Sequence, residues 1–180
     1  MRVNKGLMIA ATFDPTKRTS LITVADMCRK IEENSISLPL YQRDISWTLQ
    51  KCIDLLNYQL WGKAPVSPIS INVINTVDSA VPQVSFIDRE IISTIERGQY
   101  SVVDGQQRLT TNYKAYCNHD DFRNIVLDLG KGEFTEVRDS IRSNQIPVGI
   151  LLNKEDTKLF EYTKAKSALG SADVLSVLLQ

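Results

Sequence analysis

The sequence predicts an α+β fold, a small mixed sheet flanked by helices. Three observations predict it. Apolar residues recur at steps of three and four in some stretches, while others alternate apolar and polar residues, as in "ISINV" at 69–73. A chain of 180 residues with 43% hydrophobic content can bury one good core and carry at most a small appendage. No apolar run approaches a membrane span, so these helices and strands are expected to cover one another in water.

Residues 1–22 show no clear period and read as an N-terminal arm. From Thr23 the pattern sharpens. Thr23 and Asp26 have a capping-box spacing, and Val24, Met27, Cys28 and Ile31 share one face of a helix that stops near Asn34. In "ISLPLYQRDISW", Ile36, Leu38 and Leu40 alternate as in a half-buried strand, which Pro39 restricts to an edge or a bulge. Thr48 suits the N-cap of a second helix through Leu49, Cys52, Ile53, Leu56 and Leu60, closed by Gly62 and Pro65. Ile69, Ile71 and Val73 make a strand, and 78–82 a loop.

"FIDREIISTIERGQ" sets Ile87, Ile91 and Ile95 four apart before Gly98 and reads as a helix, although its β-branched content would tolerate a strand. Residues 100–103 form a short strand, and Leu109, Tyr113, Tyr116 and Cys117 a helical stripe ending around "CNHDD". Ile125, Leu127 and Leu129, the turn "GKG", then Phe134 and Val137 read as a β-hairpin. Residues 146–152 look like one more strand, "KEDTKLFEYTKAK" an exposed helix, and "SADVLSVLLQ" an apolar amphipathic stretch with no evident partner. The expected organisation is an arm at 1–22, a domain at 23–155 and a helical segment at 156–180.

Charge and cysteines narrow the function classes. Lys plus Arg equals Asp plus Glu at 21 each, so no broad positive field attracts a polyanion, and any nucleic-acid contact must be local. Cys28, Cys52 and Cys117 are odd in number and widely spaced among apolar positions, as for buried reduced thiols. The N-terminus lacks the pattern of a signal peptide. The expected compartment is the cytoplasm, with no membrane association.

The densest chemistry lies in "YSVVDGQQRLTTNY". A strand that ends at Asp104 and a helix that begins by Arg108 put the amides of a glycine-relaxed corner at the positive end of a helix dipole, which is an anion site. Arg108 adds a planar fork of donors matched to phosphate oxygens, and Gln106 and Gln107 add carboxamides able to orient water or a base edge. Asp104 beside phosphates would repel them unless a cation lies between, so Mg²⁺ or an activated water is expected there. The bland alternative has Asp104 capping the helix and Arg108 pairing with it or with a neighbouring acid. Tyr41, Gln42 and Arg43 form a second polar cluster at a strand end before a helix. Were the two strands neighbours, both arginines would converge on one ligand, whereas the alternative is a solvated edge turn.

"LPLYQRDISW", "KCIDLLNYQLWGKAPVSPISINVI" and "YSVVDGQQRLTTNYKAY" resemble the core of the GmrS-type domain, of the ParB and sulfiredoxin-like fold group. The resemblance covers roughly residues 24–117 and continues weakly through "IPVGILLN". It implies a nucleotide-binding, nucleoside-triphosphate-hydrolysing domain of modification-dependent restriction and phage-defence proteins such as GmrSD and SspE, with DNA nicking in some relatives. Carried onto this chain, it implies that Asp104, Gly105, Gln106, Gln107 and Arg108 form the phosphate and catalytic loop. Tyr41, Gln42 and Arg43 would line the same pocket. The implied cofactors are Mg²⁺, at Asp104, and a nucleoside triphosphate; DNA would be reached through a longer protein or a partner nuclease. The family usually continues into further helices and often an HNH nuclease. Neither continuation is recognised in this sequence, which is therefore expected to be a longer protein cut short or a short form, and with His119 as its only histidine it is not expected to assemble the His-based nuclease site of such a domain.

Two functions from different classes remain at this stage: a Mg²⁺-dependent nucleotide hydrolase, and a module that binds a nucleotide or DNA phosphate as a switch without turnover. Other signals read as structural. His119 would sit at a helix C-terminus, Trp47 and Trp61 in the core or at its rim, and Asp120 and Asp121 on a solvated helix end unless folded back onto a metal. No P-loop, HExxH or CxxC pair is present.

Overall fold

Both threonines read as caps act as caps. The Thr23 hydroxyl accepts from the Asp26 amide at 3.1 Å and opens helix α1 (Val24–Glu32); Thr48 accepts from the Lys51 amide and opens α2 (Leu49–Leu60). α1 buries Met27, Cys28 and Ile31, and α2 buries Cys52, Ile53, Leu55 and Leu56. The computed structural model describes residues 21–42, 46–63, 68–77, 80–152 and 156–168. Arg43, Pro65, most of the expected arm and the stretch "SADVLSVLLQ" lie outside the described residues.

Strands β1 (Ile36–Pro39), β2 (Ser70–Val73), β3 (Gln83–Val84) and β4 (Tyr100–Asp104) form a mixed sheet in the order β2-β4-β1-β3. β1 and β4 run parallel, with Ile36 beside Tyr100 and Ser37 beside Ser101, and the other pairs are antiparallel. Helix α3 (Gln106–Tyr116) leaves directly from β4. A second, antiparallel sheet in the order β6-β5-β7 comprises β5 (Ile125–Asp128), β6 (Glu133–Glu136) and β7 (Gln145–Pro147), followed by α4 (Val148–Leu151) and α5 (Asp156–Ala168). The α+β architecture is as expected.

Each sheet covers its own apolar cluster, Leu38, Val84, Phe86 and Val102 under the first, and Cys52, Leu56, Phe122, Ile125 and Val148 under the second. α3 belongs to both, through Leu109 and Ala115 respectively. Asn57 of α2 clips its helix to the second sheet, donating to the Phe134 carbonyl at 2.9 Å and accepting from the Phe134 amide at 2.6 Å. A buried amide satisfied on both sides stabilises where an orphaned one would cost. The three cysteines are free thiols, Cys28 and Cys52 buried and Cys117 half-buried. Among the described residues, no helix is long and apolar enough to cross a membrane.

Three expectations need correction. β1 is interior rather than half-buried: all four of its residues are buried, and Leu40 beyond it is exposed. Pro39 is tolerated there because the ladder to β4 has ended at Ser37, so its missing N–H removes no bond on that side. The stretch read as a helix over Ile87–Ile95 is a loop. Its isoleucines never share a buried face, for Ile91 is 67% exposed and bridges to Val84 while the Ser85 amide donates to the Glu90 carbonyl. Finally, the strand read at 146–152 stops at Pro147, which becomes the N-cap of a short helix whose first residue, Val148, is buried in the second core.

Candidate functional site

Parallel pairing of β1 and β4 brings the segments after both strands to one side of the sheet, where open α/β sheets bind ligands. A cleft of about 450 Å³ lies there, between Gln42 and Trp47 on one side and residues 103–108 on the other. Gln42 joins the two sides. Its carboxamide donates to the Val102 carbonyl at 2.7 Å and the Val103 carbonyl at 3.0 Å, the last two before Asp104, while its Oε1 is buried and takes no hydrogen bond among the described residues. The Trp47 amide donates to Gln107 Oε1 at 3.3 Å, orienting that carboxamide from across the cleft.

The corner turns at Gly105, whose φ of 97° lies in the left-handed region. An added Cβ would stand 2.9 Å from Ile69 Cγ1 and 3.3 Å from Arg108 Nη2, so both conformation and space call for glycine. Gly105 is the N-cap of α3 without a side-chain cap, its carbonyl taking the first helical bond from Leu109. The bland reading of Asp104 as the cap therefore falls, and its carboxylate stays 74% exposed at the mouth of the corner. Half of that reading survives in Arg108, whose Nη2 lies 3.6 Å from Asp104 Oδ2 and donates to the Pro68 carbonyl at 3.2 Å.

Of the residues singled out in the sequence, Gln42, Asp104, Gly105, Gln106, Gln107 and Arg108 thus surround one cleft. Gln106 is largely buried, Tyr41 is 69% exposed and outside the cleft lining, and Arg43 lies outside the described residues. Sequence reasoning missed Arg89, which donates to the Gln42 main-chain carbonyl from the loop mistaken for a helix. A non-glycine residue in the left-handed region carries no sequence flag.

The other polar signals are structural. His119 Nδ1 accepts from the Asp121 amide at 3.2 Å and caps a short 3₁₀ turn just beyond the end of α3. Asp121 bonds Lys114, the largest cause of its lowered pKa, and Asp120 pairs with Arg123. Trp61 donates to the Gly132 carbonyl at 2.9 Å. Among the described residues, no group of three or more His, Cys, Asp or Glu could hold a metal ion. A larger apolar groove of about 670 Å³, between Cys28, Leu56, Tyr116 and Leu151, contains none of the corner residues.

The family model of the GmrSD restriction endonuclease N-terminal domain matches residues 24–173, from α1 through the corner and past α5. No curated protein and no solved structure matches the chain.

Proposed function

The chain belongs to the family of GmrSD restriction endonuclease N-terminal domains, which ties it to restriction and phage defence, and from that membership we propose that the corner cleft binds and hydrolyses a nucleoside triphosphate. The observation that carries this reading is the gathering of Gln42, Trp47 and residues 104–108 around one cleft at the N-terminus of an eleven-residue helix. Phosphate oxygens would meet the positive end of α3 and the Arg108 guanidinium. Mg²⁺ would be held by Asp104, whose exposed carboxylate is not used as a helix cap. A single carboxylate suits Mg²⁺ that arrives with phosphates and keeps its waters, and the ion would neutralise charge on the transferring phosphoryl group. Gln107, oriented by Trp47, would position the attacking water. The ParB-like fold implied by the resemblance is part of this proposal, and DNA would enter through a longer protein or a partner nuclease, consistent with the neutral charge balance.

A phosphate-release assay with each nucleoside triphosphate and Mg²⁺ tests it. We expect turnover by the wild type and a loss of roughly 100-fold in Arg108→Ala and Asp104→Ala, the scale seen when a charge-stabilising group is removed. A second reading, nucleotide binding without turnover, is favoured by the contacts Arg108 already makes with Pro68 and Asp104. Binding with no phosphate release by the wild type would select it. A sharp fall in melting temperature in Arg108→Ala with nucleotide binding intact would make the arginine structural.

A further inference from the structure

We propose that Arg89 is a positioning residue for the corner cleft, holding the Tyr41–Gln42 turn in the register that fixes the end of β4. The inference concerns the same site as the reading above, and its role in catalysis rests on that reading.

Arg89 has φ of 59°, a left-handed conformation that disfavours any side chain. The loop carrying it is held at both ends: the Ser85 amide donates to the Glu90 carbonyl, Ser85 Oγ accepts from the Glu90 amide at 3.1 Å, and the Ile92 amide donates to the Gln83 carbonyl. From this base the half-buried guanidinium reaches back to the carbonyl of Gln42. The Gln42 amide closes its own turn on the Pro39 carbonyl at 3.0 Å, and its side chain grips Val102 and Val103. A continuous path of hydrogen bonds therefore runs from Arg89 through Gln42 to the residue before Asp104. Three segments distant in sequence meet at one glutamine, and the arginine ties the far end of the turn to the loop after β3, while the Leu40 amide ties its near end to the Pro82 carbonyl at 2.8 Å.

The first link is charge-assisted, and the left-handed conformation persists because the bonds at both ends of the loop impose it. Glycine at this position removes the guanidinium without straining the backbone, so corner protection lost in Arg89→Gly reports on the missing side chain. Amide hydrogen exchange reads the result without any nucleotide. The proposal expects exchange to quicken about tenfold at Gln42, Trp47 and residues 102–109, the change expected from losing a bond to a charged group. Amides of the β5–β6 hairpin, in the other sheet, should exchange as in the wild type. Arg89→Lys, which keeps a cationic donor, should restore most of the lost protection. Wild-type exchange around the corner in Arg89→Gly, equal quickening in both sheets, or no rescue by lysine would each overturn the proposal. Loss of corner protection in a protein whose wild type releases phosphate from no nucleotide would leave the positioning role standing and sink the hydrolase reading instead.

Discussion

At Gly105 one missing Cβ decides whether the corner exists. With φ at 97° and Ile69 only 2.9 Å from where a side chain would begin, Gly105→Ala must strain the backbone and displace the isoleucine together. We expect a stability loss of about 1–3 kcal/mol in urea unfolding, and a loss near zero would mean the corner relaxes freely. The cysteines give a second test at this scale. Burial pushes the Cys28 thiol up to about 12, so at pH 8 it holds almost no thiolate, whereas half-buried Cys117 is open to reagent. A thiol-reactive dye should label Cys117 in the folded protein well before Cys28, and the reverse order would contradict the packing of α1.

Among the elements, the second sheet depends on one carboxylate. Asp128 at the end of β5 accepts from Gln145 and Asn144 side chains, each at 3.1 Å, and from the amides of Gly130 and Lys131. Gln145 is the largest cause of its lowered pKa, with the two amides adding to it and burial opposing. A depressed carboxylate stabilises the fold above its ordinary value of 3.8, and that contribution is lost as pH falls through the lower folded value. Unfolding should therefore grow easier below about pH 4, and Asp128→Asn, which sets its own N–H groups against donors, should lose about 1–3 kcal/mol at pH 7 and flatten that dependence. A pH profile identical in the variant would place the acid sensitivity elsewhere.

What the sequence made legible at this scale was local. Thr23 and Thr48 announce α1 and α2, and the alternation around "GKG" announces the β5–β6 hairpin, because each signal lies within a few residues of its effect. The loop after β3 misled because four-residue spacing of isoleucines fits a helix equally well, and only pairing of Val84 with Leu38 and Ile91 decides against it. The site divides the same way. Asp104 to Arg108 are contiguous and could be read directly, while the grip of Gln42 on Val102 spans 60 residues and that of Arg89 on Gln42 spans 47.

For the whole molecule, α3 is the shared member of two cores, so a ligand at its N-terminus stabilises both sheets rather than one loop. Binding at one hundred times the dissociation constant should add about 2.7 kcal/mol, visible as a rise in melting temperature with Mg²⁺ and a slowly hydrolysed triphosphate analogue. The central claim is tested most directly by amide NMR shifts during titration with that same analogue and Mg²⁺. The cleft predicts saturable changes at Gly105, Gln106, Gln107, Arg108, Gln42 and Trp47, abolished in Arg108→Ala. Changes confined to the apolar groove around Leu56 and Tyr116, or none at millimolar analogue, would contradict it.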